Sequence, residues 1–360
     1  MKLSFLFGAS AQTMVRLAIQ NKAKISIRYI PRFFGHLLMG IFNSILAIPD
    51  LFYRDKGFPE NIVFIMGHYR CGTTHLLNLM SADKSFIPPS TYQTIFPNSF
   101  LATEKLLTPL LDKVGPGVRA MDNMAMRMDS PQEEEIAMAA LGAPTPYLIA
   151  HFPETGLKYS SCLTFKDSDE KTIIEWKRKH LKFVRKLVKK NGKSAVILLK
   201  SPANTARIPL LLEMYPDAKF VHIHREPYKT IQSSIHLYNT WYNMANFQSI
   251  DGLRLRRNET VLETYEEINK RWIEDKVLIR SDRQISVSFK EVQQNPIDTI
   301  QKIYNQLGYH LNQELLKDYL GTIKTYKKND YEPLSDDLIN QINNRLGFVF
   351  EEFNYEQKSI

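Results

Sequence analysis

Residues 61–80 read NIVFIMGHYRCGTTHLLNLM, and the rest of the chain is organised around them. Ile62 to Met66 is an unbroken apolar run, long enough for a strand buried on both faces. Residues 67–72 form a short polar loop. From Thr73 onward the apolar residues fall at Leu76, Leu77, Leu79 and Met80, one face of a helix. Strand, glycine-bounded loop and helix start follow in succession. A helix N-terminus exposes unpaired N–H groups and the positive end of a dipole, and a loop of amides ahead of it makes a concave anion site.

The Gly67-x4-Gly72 spacing is that of the nucleoside-triphosphate P-loop, but Thr73 stands at the lysine position. The basic residue lies inside the loop instead, as Arg70. Thr73 and Thr74 offer hydroxyls to an anion. An ordinary strand-to-helix turn accounts for the glycines, though not for an arginine and two threonines at the same helix start.

The chain has 360 residues, 44% hydrophobic and 24% charged, which fits a globular protein with a large core. Its formal net charge of +9 points to an anionic partner. No RNA- or DNA-binding motif directs that charge to nucleic acid, so none is expected as a partner. The two cysteines, Cys71 and Cys162, cannot organise a disulfide framework. A reducing, cytoplasmic location follows as the default. His222 and His224 alternate on one strand face without a third ligand, so they read as strand residues and no metal is expected.

Residues 33–52, FFGHLLMGIFNSILAIPDLF, are strongly apolar but interrupted by His36, Asn43, Ser44, Pro49 and Asp50. That is marginal for a membrane-spanning helix. Two readings stay open: an interfacial helix with Arg16, Lys22, Lys24, Arg28 and Arg32 upstream, or a helix that packs on the domain or lines an apolar substrate channel. The first residues lack the cleavage pattern of a secretory signal. Residues 1–54 are expected to form an apolar, basic helical appendage, with peripheral membrane contact as one of the two open readings, and residues 55–360 the sulfate-group or nucleotide-binding main domain.

After Met80, the segment around PSTYQTIFPNSF reads as a loop over the sheet. Residues 104–114 suit a helix ended by Gly115-Pro116-Gly117. Ser130-Pro131-Gln132-Glu133 opens another, with serine as cap, running through Glu134 and Glu135 to Gly142. Three carboxylates there serve as dipole complement or as functional acids. A basic amphipathic helix over 171–191 follows. Strands at 195–199 and 219–224 end in Lys200 and Arg225 and are each followed by a helix. The alternation predicts an α/β, P-loop-like three-layer fold with a central, mostly parallel sheet flanked by helices. Ligands on such sheets gather at the carboxyl ends of strands, where Arg70, Lys200 and Arg225 all stand. The last third is mainly helical.

The chain resembles the sulfotransferases that use 3′-phosphoadenosine 5′-phosphosulfate (PAPS). GHYRCGTTHLLNLM is similar to their 5′-phosphosulfate loop, in the branch with arginine in place of lysine. LLKSPANTARIPLLLEMYPDAKFVHIHREPYKTIQSS is similar to the region of the 3′-phosphate site. The likeness extends over roughly residues 60–350. It implies that Arg70, Cys71, Gly72, Thr73 and Thr74 hold the 5′ side of the cofactor. Arg225 and Ser233, eight residues apart, would grip the 3′-phosphate from the opposite end, Lys200 would contact the transferred group, and Arg70 and Lys200 with the loop amides would stabilise the charge growing on the leaving oxygens. An acceptor hydroxyl would attack sulfur in line, releasing adenosine 3′,5′-bisphosphate, without a metal.

Asn204 and Gln93 occupy places where branches of that family carry their histidine or glutamate base, and neither amide is a useful proton acceptor. Glu133, Glu134, Glu135 and His68 remain, with Glu134 favoured, Glu133 beside it and His68 assigned to shaping the loop. The apolar N-terminus and the aromatic segment near Tyr92 suggest a lipophilic acceptor, a sterol or other lipid alcohol. A carbohydrate acceptor, a P-loop nucleotide kinase and a non-catalytic nucleotide-binding protein are the alternatives. Phe289, Lys327 and Lys328 are candidates for the adenine.

Overall fold

The structure is a computed structural model and describes residues 4–53, 57–114, 117, 127–244, 246–323 and 331–359. In chain order its elements begin with α1 (Ala11–Gln20), α2 (Ile30–Leu46), β1 (Asn61–Met66), α3 (Thr73–Ser81) and β2 (Phe86–Ile87). Next come α4 (Thr91–Ile95), α5 (Phe100–Val114), α6 (Glu134–Ala140), α7 (Glu170–Asn191) and β3 (Val196–Lys200). Then follow α8 (Ile208–Met214), β4 (Lys219–His224), α9 (Pro227–Met244), α10 (Asp251–Leu255) and α11 (Arg257–Asp275). The chain closes with β5 (Gln284–Ser288), α12 (Phe289–Gln294), α13 (Pro296–Leu307), α14 (Gln313–Thr322) and α15 (Asp336–Phe353).

The strands form one sheet in the order β2-β3-β1-β4-β5. β1 runs parallel to β4, with Val63 opposite Lys219, and β4 parallel to β5, with His224 opposite Ser288. The sheet is mostly parallel and flanked by helices, the P-loop-like α/β architecture expected. Residues 63–66 of β1 are wholly buried, and Phe64 stacks on Phe220 of β4 with ring centres 5.7 Å apart. That unbroken burial is why β1 reads as a run rather than an alternation.

The residues cluster in two compact units. The first comprises residues 1–60, 89–197 and 239–255; the second comprises 61–88, 198–238 and 256–360. The boundary expected at 54/55 falls inside the opening segment of the first unit. In that unit α1 lies on α2, where a Cβ on Gly40 would meet the Ala11 nitrogen at 2.9 Å. Asp169 caps α7 by accepting from the Thr172 N–H at 2.7 Å. In the second unit, Tyr228 and Ile231 of α9, Leu262 and Tyr265 of α11 and Ile342 of α15 share a buried cluster. His222 stacks on Trp272 at 3.9 Å and His224 on Phe353 at 4.3 Å, so both are packing residues of the strand face.

Local differences from the sequence expectations have local causes. The segment after Pro89 is no loop: Ser90 and Gln93 form a capping box that starts α4. Ser130 caps nothing, because Pro131 bridges Ser90 and the Gln132 N–H donates to the Pro89 carbonyl at 2.9 Å. The backbone therefore stays extended through Glu133, and α6 begins at Glu134. Pro202–Ala206 is a 3-10 turn, which delays α8 to Ile208. Lys327, Lys328, Gly115 and Pro116 lie outside the described residues.

Candidate active site

In the second unit, the loop between β1 and α3 is held by backbone geometry that only glycine adopts freely. Gly67 has φ 138°, and a Cβ there would sit 2.4 Å from the Ile223 carbonyl of β4. Gly72 has φ 106°, and a Cβ would collide with Phe289 at 2.3 Å. The loop is thus clamped between the end of β4 and the start of α12. Gly72 caps α3, whose first amides precede the intrahelical hydrogen-bond ladder.

Further contacts fix the loop. The Gly67 N–H donates to the Thr205 hydroxyl at 2.7 Å. The Cys71 thiol donates to the Ile223 carbonyl at 3.2 Å. Burial pushes the pKa of that thiol up to about 12, against the pull of the Thr73 N–H and the Arg225 charge, so Cys71 is a neutral tether. His68 is buried, its Nδ1 is 2.7 Å from the Tyr69 carbonyl, and its ring meets Tyr265 edge-on at 4.7 Å. Burial lowers its pKa to about 3, which leaves it uncharged and suits a packing role in the loop.

The cations expected at the strand ends meet here. Arg70 takes a left-handed φ of 68°, and its Nε donates to the Ser233 hydroxyl on α9 at 2.9 Å. Arg225 donates to the Arg70 carbonyl at 3.1 Å and lies over the Phe289 ring at 4.7 Å. Ser233 in turn donates to the Tyr331 hydroxyl at 3.0 Å. Lys200, 2% exposed at the end of β3, donates to Thr74 Oγ1 at 3.3 Å. Thr73 is buried beside it in the chain. Burial, aided by the Arg70 charge, lowers the pKa of Arg225 from its ordinary value.

Arg70, Arg225 and Ser233 therefore form one connected cluster. The reason is the turn at Arg70, whose side chain runs to α9 rather than along the loop. Phe289, considered for the adenine, is engaged by Gly72 and Arg225. Thr205 and Tyr331 are additions that the sequence reading missed. Thr205 follows directly on the Lys200-Ser201-Pro202 signature, and that proximity was its only signal. Tyr331 is distant from every motif and had none.

In the first unit, Glu134 and Glu135 are wholly buried and Glu133 nearly so. Acids that merely complement a helix dipole sit in solvent; these do not. Glu135 accepts from the Thr145 hydroxyl at 2.5 Å. Gln93 closes the capping box with its Oε1 and donates from Nε2 to Glu104 at 3.0 Å, which gives it a structural task. The aromatic segment expected to wall an acceptor pocket is itself packed: Tyr92 and Phe96 are buried with ring centres 4.9 Å apart. No group of three or more His, Cys, Asp or Glu side chains placed for a metal occurs among the described residues.

Residues 62–313 match the sequence profile of the Sulfotransferase family. The chain belongs to that family, and it is a sulfotransferase. The sulfotransferase is 28% identical over 362 residues to omega-hydroxy-beta-dihydromenaquinone-9 sulfotransferase Stf3 of Mycobacterium bovis, spanning 97% of this chain and 91% of the relative. The Mycobacterium tuberculosis protein of the same name gives the same figures. Among solved structures, sulfotransferase STF1 from M. tuberculosis H37Rv superposes with a TM-score of 0.65 at 16% identity, covering 94% of this chain and 92% of its own. Sulfotransferase STF9 from Mycobacterium avium gives 0.64 at 16% identity, covering 98% of each chain. At those identities the two structures speak for the fold.

Proposed function

We propose that this sulfotransferase moves the sulfonate of PAPS to the hydroxyl of a lipophilic alcohol. The observation that carries the donor assignment is the hydrogen-bonded cluster of Arg225, Arg70 and Ser233 on a glycine-capped helix N-terminus. Two guanidinium groups, a hydroxyl and a set of first-turn amides suit a ligand with phosphates at two positions. When bound, PAPS supplies the sulfonate and leaves as adenosine 3′,5′-bisphosphate.

In this reading Arg225 and Ser233 hold the 3′-phosphate. Cys71, Gly72, Thr73 and Thr74 line the 5′ side with backbone N–H groups and threonine hydroxyls. Arg70, bonded to Ser233, keeps the two sites in register. Lys200 is nearly buried and fixed on Thr74, so its charge acts in a weakly screened setting on the oxygen that becomes negative as sulfur departs. Glu134, wholly buried at the start of α6, is proposed to accept the acceptor's proton, with Glu133 as its neighbour.

The acceptor class is supported by the relative's name, which specifies a hydroxylated, lipid-like quinone. A long-chain alcohol of that kind is preferred over a sterol, because the packed aromatic segment offers no separate support for a rigid ring system. The test is transfer from labelled PAPS to hydroxylated prenyl lipids, sterols and glycans in parallel. Turnover on the prenyl alcohols is expected; activity on glycans alone would refute the acceptor proposal. Turnover on none of them, with adenosine 3′,5′-bisphosphate still bound, would favour a non-catalytic role.

A further inference from the structure

The helix α2 is amphipathic in the reverse sense. Its polar residues face the protein: Asn43 Nδ2 donates to the Phe7 carbonyl at 2.9 Å, and Ser44 donates to the Gly40 carbonyl at 2.7 Å and accepts from the Ala11 N–H at 3.2 Å. Arg32 donates to the Asn246 carbonyl and side chain at 3.0 and 3.1 Å. Its apolar residues face out. Phe34, Leu38, Ile41, Phe42 and Ile45 are exposed at helical spacing, Leu38 at 67%, and Phe52 continues the face beyond the helix at 82%. In a water-facing helix this pattern runs the other way. Seventeen residues give a strip about 25 Å long. Contiguous apolar surface of that size marks a contact site.

Positive charge surrounds the start of the strip. A cavity of about 650 Å³ opens there, lined by Arg28, Tyr29, Arg32, Asn243, Asp251 and Arg254. Arg28 and Arg32 both lie over the Tyr29 ring, at 5.9 and 5.1 Å. Arg254 is set by Asn243 at 2.8 Å, and Asp251 is engaged by Ser249 at 2.6 Å. Three guanidinium groups against one carboxylate leave the cavity suited to a phosphate. Lys22 stands just upstream, whereas Lys24 is paired with Glu154.

We propose that the first unit docks on an anionic bilayer, with the outward face of α2 sunk among the acyl chains and the arginine-lined cavity set against lipid phosphate. A bilayer offers what this surface presents, an apolar interior beside a layer of phosphate. The stretch Ile27–Phe52 is long and apolar enough to cross a membrane. Its inner face, however, is committed to the protein through Asn43, Ser44 and Gly40, so the helix lies on the membrane rather than through it. The inference concerns a surface and does not require the acceptor to be a lipid.

The test is sedimentation of the full chain with acceptor-free vesicles of phosphatidylcholine, with and without phosphatidylglycerol. Binding to the phosphatidylglycerol vesicles is expected, weakened about 10-fold or more by Leu38→Glu with Phe42→Glu. Arg28→Glu should weaken it severalfold and remove the dependence on phosphatidylglycerol. An unchanged thermal shift with adenosine 3′,5′-bisphosphate establishes that each variant is folded, and Leu38→Ser replaces the double variant if it is not. Wild-type protein that stays in the supernatant, or variants that bind like wild type, would overturn the proposal. So would a wild-type dimer in sedimentation velocity that the α2 variant splits, since the face would then be a self-contact.

Discussion

Two helix starts in this sulfotransferase differ in both backbone geometry and charge. Gly72 opens α3 in a left-handed turn, and the residues around it are arginine, lysine and threonine. Glu133 opens α6 from an extended backbone, and the residues that follow are glutamates buried in the first unit. The first arrangement concentrates positive potential where an anion can lie along exposed amides. The second holds carboxylates out of water at the start of a buried helix. Each helix start lies in its own compact unit and has its own local reasons for folding as it does.

The largest effect is expected at Lys200. Lys200→Ala should lower kcat by about 10³ or more while adenosine 3′,5′-bisphosphate binding changes only a few-fold, because its charge acts on developing rather than ground-state charge. Equal losses in kcat and nucleotide affinity would make it a plain binding residue. Glu134→Gln should cost about 10² or more in kcat, leave nucleotide binding intact and flatten the acid limb of the pH–rate profile. Near-normal turnover would remove Glu134 as the base and leave the acids of α6 a structural role.

A smaller effect sharpens the comparison by testing burial in both units together. His68 in the second unit and His151 in the first are each held at a pKa of about 3, chiefly by burial, against 6.5 when free. Each folds in the neutral form, so between pH 6.5 and 3 the unfolded chain binds more protons. Their contribution is complete above pH 6.5 and is lost as the pH falls toward 3. At pH 5 the loss is up to about 2 kcal/mol per histidine. The thermal midpoint should therefore fall between pH 7 and pH 5, and less steeply in His151→Asn. A midpoint flat across that range would contradict the buried, neutral assignment.

What was legible in the sequence follows from how local each signal is. β1, the loop and α3 could be read because an apolar run, two glycines and a helical repeat lie within twenty consecutive residues. Arg225 and Ser233 were named from the family resemblance, and the strand end and helix account for their eight-residue spacing. The Arg70–Ser233 bond was not, since it depends on a left-handed residue that no spacing reveals. The start of α6 was misplaced because Ser130-Pro131 is a good cap signal overridden by a bridge to Ser90, forty residues away. The composition of α2 announced an apolar helix but not its orientation, which is set by side-chain bonds to distant backbone such as Asn43 to Phe7.

The Arg70–Arg225–Ser233 cluster is proposed to read a nucleotide with phosphates at both the 3′ and 5′ positions. It is tested by titrating adenosine 3′,5′-bisphosphate and adenosine 5′-monophosphate into wild type and Arg225→Ala. A preference of about 10² for the bisphosphate is expected in wild type, since a charge-assisted bidentate contact is worth about 2–3 kcal/mol, with collapse of that preference in the variant. Equal affinity for the two nucleotides in wild type, or an undiminished preference in Arg225→Ala, would contradict it.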